Sequence, residues 1–363
     1  MATECELLAM RRAIVLAQTP GVPTGPNPRV GAVILGADGN VVGSGYHRGA
    51  GSPHAEVDAL VDAGHAARGA TAVVSLEPCD HHGRTGPCSQ ELVAAGVRRV
   101  VIAQPDQNPA AAGGADTLRA AGIDVEVGVL GDEAERVNHA WSFAMRHRRP
   151  FVTWKFATTL DGRSAAADGT ARWITGPAAR TDVHRLRARC DAVLVGTGTI
   201  VADNPRLTVR DGEDAPLPRN QQPLRVVMGT RDLDPGSAVF DDTAETLVVG
   251  THDPAVVLGA LFDSGRQHVW LEGGPTLATA FLRSGLVDEI VAYVAPALLG
   301  AGAPVVGDLG IGTVDAIERL DLLDASRVGD DVRLTLRRGS ADVYRPGPAA
   351  HPPHRCQRPK DPA

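Results

Sequence analysis

The chain has 363 residues, 43% of them hydrophobic, and a formal net charge of −7. That length predicts two domains, each with its own core, and the acidic balance argues against a protein that lives on nucleic acid or an anionic membrane. Five widely scattered cysteines do not make a disulfide framework and point to a reducing compartment. No apolar run reaches membrane length, and the N-terminus lacks the charged-then-apolar order of a secretory signal. A soluble, cytoplasmic protein is expected.

In chain order, Glu4 to Gln18 carries an amphipathic helix pattern (Leu7, Leu8, Ile14, Val15) that stops before Pro20. A Pro/Gly loop covers 21–28. Strands are expected at Val30–Leu35 and Asn40–Tyr46, joined by the turn signal Asp38-Gly39. A helix at Ala55–Ala67, a strand at Thr71–Leu76, a helix at Ser89–Ala95 and a strand at Arg99–Ala103 follow. A helix at Ala115–Ala121 and a strand at Ile123–Val127 complete an alternation that marks a sheet between helix layers. The helix Asp132–Arg148 ends in a basic run closed by Pro150, so the first domain is placed at 1–149.

This half contains His54-Ala55-Glu56, then Glu77-Pro78-Cys79, then Pro87-Cys88. One imidazole and two thiolates suit Zn²⁺ with a fourth position left for water. Glu56, two residues from the histidine, is placed to move protons. The pattern is that of zinc-dependent base deaminases, except that eight residues rather than two separate the cysteines. The spacing still works if His54 and Cys88 each open a helix and Cys79 lies in the turn after a strand. A structural zinc site is the plain alternative, but it would ordinarily show four protein ligands and leave Glu56 without a task.

The second half, 150–338, opens with a strand at Phe151–Thr158. A helix is expected at Pro177–Arg189, strands at Ala192–Val195, Leu224–Met228, Thr246–Val249 and His268–Leu271, a helix at Pro275–Ser284, and strands at Glu289–Val294 and Val332–Leu336. No Gly-x-Gly-x-x-Gly follows its first strand, so a Rossmann assignment is unsupported. Glu272-Gly273-Gly274-Pro275-Thr276 is a strand-to-helix turn whose amides suit a pyrophosphate. Arg187 and Arg210 are candidates for a phosphate clamp. Only two of the 36 basic residues are lysines, Lys155 and Lys360, so a lysine kept in the folded part suggests a need for a compact ammonium. Residues 339–363 are rich in Pro, His and Arg without periodicity and read as a disordered tail.

Taken together, the chain resembles the bifunctional deaminase/reductase family of riboflavin biosynthesis over roughly residues 5–337. In the first half the resemblance rests on Pro26-Asn27-Pro28-Arg29-Val30-Gly31, His54-Ala55-Glu56, Leu76-Glu77-Pro78-Cys79 and His81-His82-Gly83-Arg84-Thr85. In the second it rests on Lys155, Leu160-Asp161-Gly162-Arg163, Trp173-Ile174-Thr175, Ala202-Asp203-Asn204-Pro205, Leu207-Thr208-Val209-Arg210 and Glu272-Gly273-Gly274. It implies a cytidine-deaminase-like three-layer α/β/α domain followed by a dihydrofolate-reductase-like α/β domain. It also implies zinc-dependent deamination of 2,5-diamino-6-ribosylamino-4(3H)-pyrimidinone 5′-phosphate, then NADPH-dependent reduction of the ribosyl to the ribityl side chain. By position it gives zinc to His54, Cys79 and Cys88, proton transfer to Glu56, and the deaminase pocket to Asn27, His47, Arg84, Asp106 and Asn108. NADPH falls to Ala157, Trp173, Thr175, Thr199, Asp203, Gly274, Pro275 and Thr276. The second substrate falls to Arg187, Leu207, Arg210 and Glu272, with Lys155 and Asp203 as catalytic groups. A homo-oligomer through the reductase domain is a further implication.

The chain departs from the family pattern at Asp80, Gly86, Gln107, Ala171 and Met228. Asp80 introduces a negative charge expected near the metal, which makes a single-activity reductase with an impaired deaminase domain one alternative. A nucleic-acid base deaminase is another, and three tyrosines and six phenylalanines in an acidic chain argue against it. A zinc-stabilised binding protein would leave Glu56, Lys155 and Asp203 unexplained.

Overall fold

The computed structural model describes residues 1–22, 25–82 and 86–338; the expected tail at 339–363 lies outside the described residues. The first half forms a five-stranded sheet ordered β2-β1-β3-β4-β5, with β1 Gly31–Leu35, β2 Val41–Tyr46, β3 Thr71–Val74, β4 Arg99–Ile102 and β5 Asp124–Val127. β1 is antiparallel to β2 and β3, and β3, β4 and β5 are parallel. The period of two along β1 sorts its side chains to opposite faces. Ala32 and Ile34 pack with the helices α2 (Ala55–Ala63), α3 (Cys88–Ala95) and α4 (Gly114–Ala120). Val33 and Leu35 pack with α1 (Glu4–Ala17) and α5 (Gly131–His147). The result is the expected three-layer α/β/α arrangement. Gly31, Gly43 and Gly45 permit it, because a Cβ at any of them would lie 2.0–2.5 Å from the backbone of α1 or α2.

The second half is an eight-stranded sheet ordered β12-β13-β11-β6-β10-β7-β8-β9. Its strands are β6 Phe151–Thr159, β7 Ala192–Gly196, β8 Leu224–Met228, β9 Thr246–Val249, β10 His268–Glu272, β11 Glu289–Ala295, β12 Leu320–Val328 and β13 Asp331–Arg338. From β11 to β9 the neighbours are parallel, and β13 and β12 close one edge as an antiparallel pair. α8 (Pro254–Asp263) and α9 (Pro275–Arg283) cover one face, α6 (Pro177–Arg187) and α7 (Thr197–Asp203) the other. Three of these elements were not expected from the sequence. α7 begins Thr-Gly-Thr, a run of weak helix formers. α8 is apolar nearly all round, and β12 carries a register shift between Leu322 and Asp324 that breaks its alternation.

The two halves meet along α5. Phe143 and His139 of this helix pack edge-on against Phe151 at the start of β6, with ring centroids 5.3 and 5.0 Å apart. Across the same seam Gln267 Nε2, just before β10, donates to the carbonyl of Pro26 at 2.9 Å. No described helix is long and apolar enough to cross a membrane.

Candidate active sites

The N-terminal ends of α2 and α3 converge on the loop after β3. His54 occupies the N-cap of α2, Cys88 is the first residue of α3, and Cys79 lies in the loop between β3 and α3. His54 Nδ1 is 3.2 Å from Cys88 Sγ and 3.5 Å from Cys79 Sγ, and the three atoms lie within 4.8 Å of one another. Ligand bonds of about 2.0 Å to nitrogen and 2.3 Å to sulfur in a tetrahedron set N and S roughly 3.5 Å apart, so this donor set fits Zn²⁺ without rearrangement. The Cys88 thiol and the His54 ring hold Cys79 well below the usual thiol range, whereas the Cys79 contact and burial push Cys88 up. One sulfur is thus already anion-like, as a metal ligand must be.

Glu56, in the first turn of α2, is only 4% exposed, and burial pushes its carboxyl up to about 7. It lines the same cavity of about 450 Å³ as His54 and Cys79. Of the residues that the family resemblance placed in the deaminase pocket, Asn27, His47, Asp106 and Asn108 line that cavity; Arg84 lies outside the described residues. Asn27 Nδ2 donates to His47 Nε2 at 3.0 Å, and His47 Nδ1 faces the Pro53 carbonyl at 3.0 Å. These two contacts fit a neutral imidazole protonated on Nδ1, and burial lowers the pKa of the ring in keeping with that. Burial pushes Asp106 up to about 6. Its backbone N–H donates to Glu77, which also takes the N–H groups of Gly113 and Ala115.

The sequence reading missed Trp141 and Met145, which wall the cavity from α5. Their spacing of four residues on a helix was the available signal. It also expected Asp80 to place charge near the metal. Asp80 follows the ligand Cys79, and its carboxylate accepts from Ser89 Oγ, beside the ligand Cys88, at 2.5 Å and from Thr117 Oγ1 at 2.8 Å. The charge thus lies behind the metal cluster, ties α3 to α4 and does not line the cavity.

In the second domain, the parallel register pairs Lys155 of β6 with Glu272 at the end of β10. Arg187, at the end of α6 and only 8% exposed, reaches both carboxylate oxygens of Glu272 through Nη2, at 2.7 and 2.8 Å. Its Nη1 donates to the Thr208 carbonyl at 2.8 Å, and Trp270 Nε1 donates to the same carboxylate. Burial raises the Glu272 carboxyl, but Arg187 and Lys155 outweigh it and hold the group at about 2. Burial lowers Lys155, with Glu272 opposing the shift. Both Arg187 Nη atoms are therefore engaged inside the protein. Arg210 pairs with Asp214 at 2.9 Å, and its backbone N–H donates to His184 Nδ1 at 3.3 Å. The two arginines do not form a free clamp. His184, which the sequence reading passed over, is held down to about 4 by burial and by Arg187.

The expected cofactor residues lie at the carboxyl ends of the central strands. β7 ends at Gly196, the N-cap of α7, whose first turn contains Gly198 and which carries Thr199 and Asp203, and the neighbouring β10 runs through Gly273 and Gly274 into α9, opened by Pro275 and Thr276. A Cβ on Gly198 or Gly274 would meet nothing within 4 Å, whereas one on Gly273 would lie 2.7 Å from Leu277. Two adjacent strand-to-helix turns thus leave room over their backbones for an extended phosphate-bearing ligand. Ala157 lies on β6, and Trp173, 70% exposed, sits under Arg180 Cζ at 4.4 Å. Thr175 accepts from Arg180 through its carbonyl, and Asp203 accepts from Arg172 likewise. Leu207 is buried with φ of 55°. Among the described residues no hydrogen bond or ion pair links Asp203 to Lys155.

Comparison with known proteins matches two separate stretches of the chain. Residues 3–104 match the cytidine and deoxycytidylate deaminase zinc-binding region, and residues 150–334 match the RibD C-terminal domain. Riboflavin biosynthesis protein RibD of Mycobacterium tuberculosis (strain H37Rv) is 50% identical over 316 residues, which cover 86% of this chain and 91% of that protein. The protein of the same name from Escherichia coli K12 is 42% identical over 364 residues, covering 90% and 98%. A solved structure of Acinetobacter baumannii RibD superposes with a TM-score of 0.87 at 39% identity, over 93% of this chain and 99% of that one. The diaminohydroxyphosphoribosylaminopyrimidine deaminase/5-amino-6-(5-phosphoribosylamino)uracil reductase of Thermotoga maritima does so at 0.83 and 31%, over 92% and 99%. This chain belongs to the RibD family of bifunctional riboflavin-biosynthesis deaminase/reductases.

Proposed function

We propose that residues 1–149 deaminate 2,5-diamino-6-ribosylamino-4(3H)-pyrimidinone 5′-phosphate and that residues 150–338 then reduce the ribosyl side chain of the product with NADPH. The observation that carries the first half is the His54–Cys79–Cys88 cluster, whose His54 and Cys79 line one cavity with the buried Glu56. Zinc bound there supplies Lewis acidity toward water. Glu56 takes one proton from the attacking water and delivers it to the ring nitrogen. As the carbonyl forms and the C–N bond breaks, it takes the second proton from the added hydroxyl and passes it to the amino group, which leaves as ammonia. A carboxyl whose pKa lies near neutrality serves both directions of transfer. The Asn27–His47 pair and Asp106 with Asn108 orient the pyrimidine over that carboxyl, and Trp141 and Met145 help close the cavity against bulk water.

In the second half NADPH supplies the hydride. The glycine turns before α7 and α9 hold its phosphates, with Ala157, Trp173, Thr175 and Thr199 along the cofactor. Glu272, kept ionised by Arg187, positions the sugar hydroxyls. Lys155 or Asp203 donates the proton that opens the ribose ring. Leu207 and Arg210 complete the substrate wall.

We further infer a homo-oligomer built through the second domain, supported by the exposed Leu298, Val314, Leu322 and Leu323. A cytoplasmic setting is supported by the free thiols of Cys5, Cys79, Cys88 and Cys190.

The test is to give the zinc-loaded protein the diaminopyrimidine ribosyl phosphate with and without NADPH, following ammonia release and NADPH oxidation. Ammonia should appear without NADPH, and NADPH should be consumed only after deamination. Absence of ammonia with intact reduction of the deaminated substrate would remove the first activity, and absence of both would remove the reading.

A further inference from the structure

Every residue that lines the first cavity comes from the first domain, but one stretch of its wall is braced by the second. Gly25 and Pro26, which lead into the cavity residue Asn27, rest on the start of β10 in the second domain. Gln267 Nε2 donates to the Pro26 carbonyl at 2.9 Å. Gln267 is 5% exposed, and its Oε1 has no hydrogen-bond partner among the described residues, so its side-chain amide is committed to this contact. A Cβ on Gly25 would lie 2.8 Å from Asp191 Oδ1 and 2.9 Å from Gln267 Oε1, so the backbone there is pressed against both side chains. Asp191 fixes the other half of the seat, because its Oδ2 accepts the N–H groups of Gln267 and His268 at 2.8 and 2.9 Å. From the opposite side Asn138 of α5 holds the same segment, accepting from Arg29 N and donating to Arg29 O at 2.9 and 2.8 Å.

We propose that Gln267, a residue of the reductase domain, is a positioning residue for the deaminase cavity. It fixes the Gly25–Pro28 segment so that Asn27 meets His47 and both face the pyrimidine. This rests on the deaminase reading given above. The zinc ligands and Glu56 stand on α2, α3 and the loop after β3, and among the described residues no hydrogen bond or ion pair joins these to Gln267 or Pro26. Loss of the contact should therefore weaken substrate binding and leave the chemical step intact.

The experiment uses the full-length, zinc-loaded chain. Gln267→Met keeps the side-chain length and removes the donor to the Pro26 carbonyl. KM for the diaminopyrimidine ribosyl phosphate should rise by roughly five- to tenfold while kcat of ammonia release stays within about twofold. Zinc content and the kinetics of reduction of the already deaminated substrate should match the unaltered protein. Gly25→Ala attacks the same seat from the first domain and should give the same split, which keeps the idea testable if one variant folds poorly. An unchanged KM in either folded variant overturns the proposal, as does a parallel fall of kcat and zinc content, which would mark a purely structural role. An unaltered protein that releases no ammonia sinks the deaminase reading instead, a result distinct from both.

Discussion

In the first domain every candidate ligand and Glu56, the carboxylate proposed to transfer protons, fall between His54 and Cys88, on two helix starts and one loop. In the second, the buried group of Lys155, Arg187 and Glu272 is drawn from β6, α6 and β10, and it exists only because the parallel register sets Lys155 beside Glu272. The first arrangement can lose its chemistry without losing its sheet. The second cannot, because its charges are also the packing between three elements. Removing one member of a buried ionic group leaves the others uncompensated.

Four experiments break or sharpen that contrast. The largest effect belongs to the compact site: Glu56→Gln should lower deamination by about 10²–10⁴-fold, with zinc retained and reduction untouched. Cys79→Ala should abolish deamination and the stoichiometric zinc together, so metal analysis separates the two variants. Persistence of deamination in Glu56→Gln would remove that residue from the mechanism.

Arg187→Ala should behave differently. It strands Glu272 and the Thr208 carbonyl, and a loss of about 3–5 kcal/mol in unfolding free energy is expected alongside the loss of reduction. Denaturant unfolding checks it. A variant of unchanged stability would mean that the second site is as detachable as the first.

The third effect is the pH dependence contributed by Glu272 in the second domain. Glu272 ionises at about 2 in the folded protein against an ordinary value of 4.5. A depressed carboxyl contributes stability above the unfolded value and loses it as pH falls toward the folded one. The stability difference between the unaltered protein and Glu272→Gln should thus narrow between pH 4.5 and 2, by on the order of 3 kcal/mol. A pH-independent difference would contradict the assignment.

The smallest effect tests a departure from the family pattern. Asp80→Ala removes acceptors for Ser89 and Thr117 and should cost about 1–2 kcal/mol of stability, with deamination changed by less than about twofold. A large gain in deamination would return Asp80 to the site.

That last case shows where sequence reading runs out. The metal ligands were legible because His54 and Cys88 open helices whose apolar spacing is visible beside them. The same sequence could not say which way Asp80 points, because Thr117 lies a strand and a helix away. Trp141 and Met145 were missed for a like reason, since they read as the buried stripe of a helix until α5 is laid across the cavity. In the second domain Lys155 stood out through composition alone. Its pairing with Glu272 depends on strand order, which nothing local encodes. Arg187 and Arg210 were read as a phosphate clamp because both are cationic, but the fold gives each an acidic partner. Gly25 and Gln267 carry no motif at all, and only the docked domains reveal their contact.

The scarcity of lysine has a practical side. With Lys360 in the terminal segment, Lys155 is the single primary amine of any side chain between residues 1 and 338. It sits partly buried beside Glu272. Reagents that acylate or reductively methylate amines therefore have one side-chain target within residues 1–338, and that position slows them. An isotope-labelled methyl group installed there would give one resonance from the folded body of the protein. That resonance would report occupancy of the second site, free of overlap from any other side chain in residues 1–338.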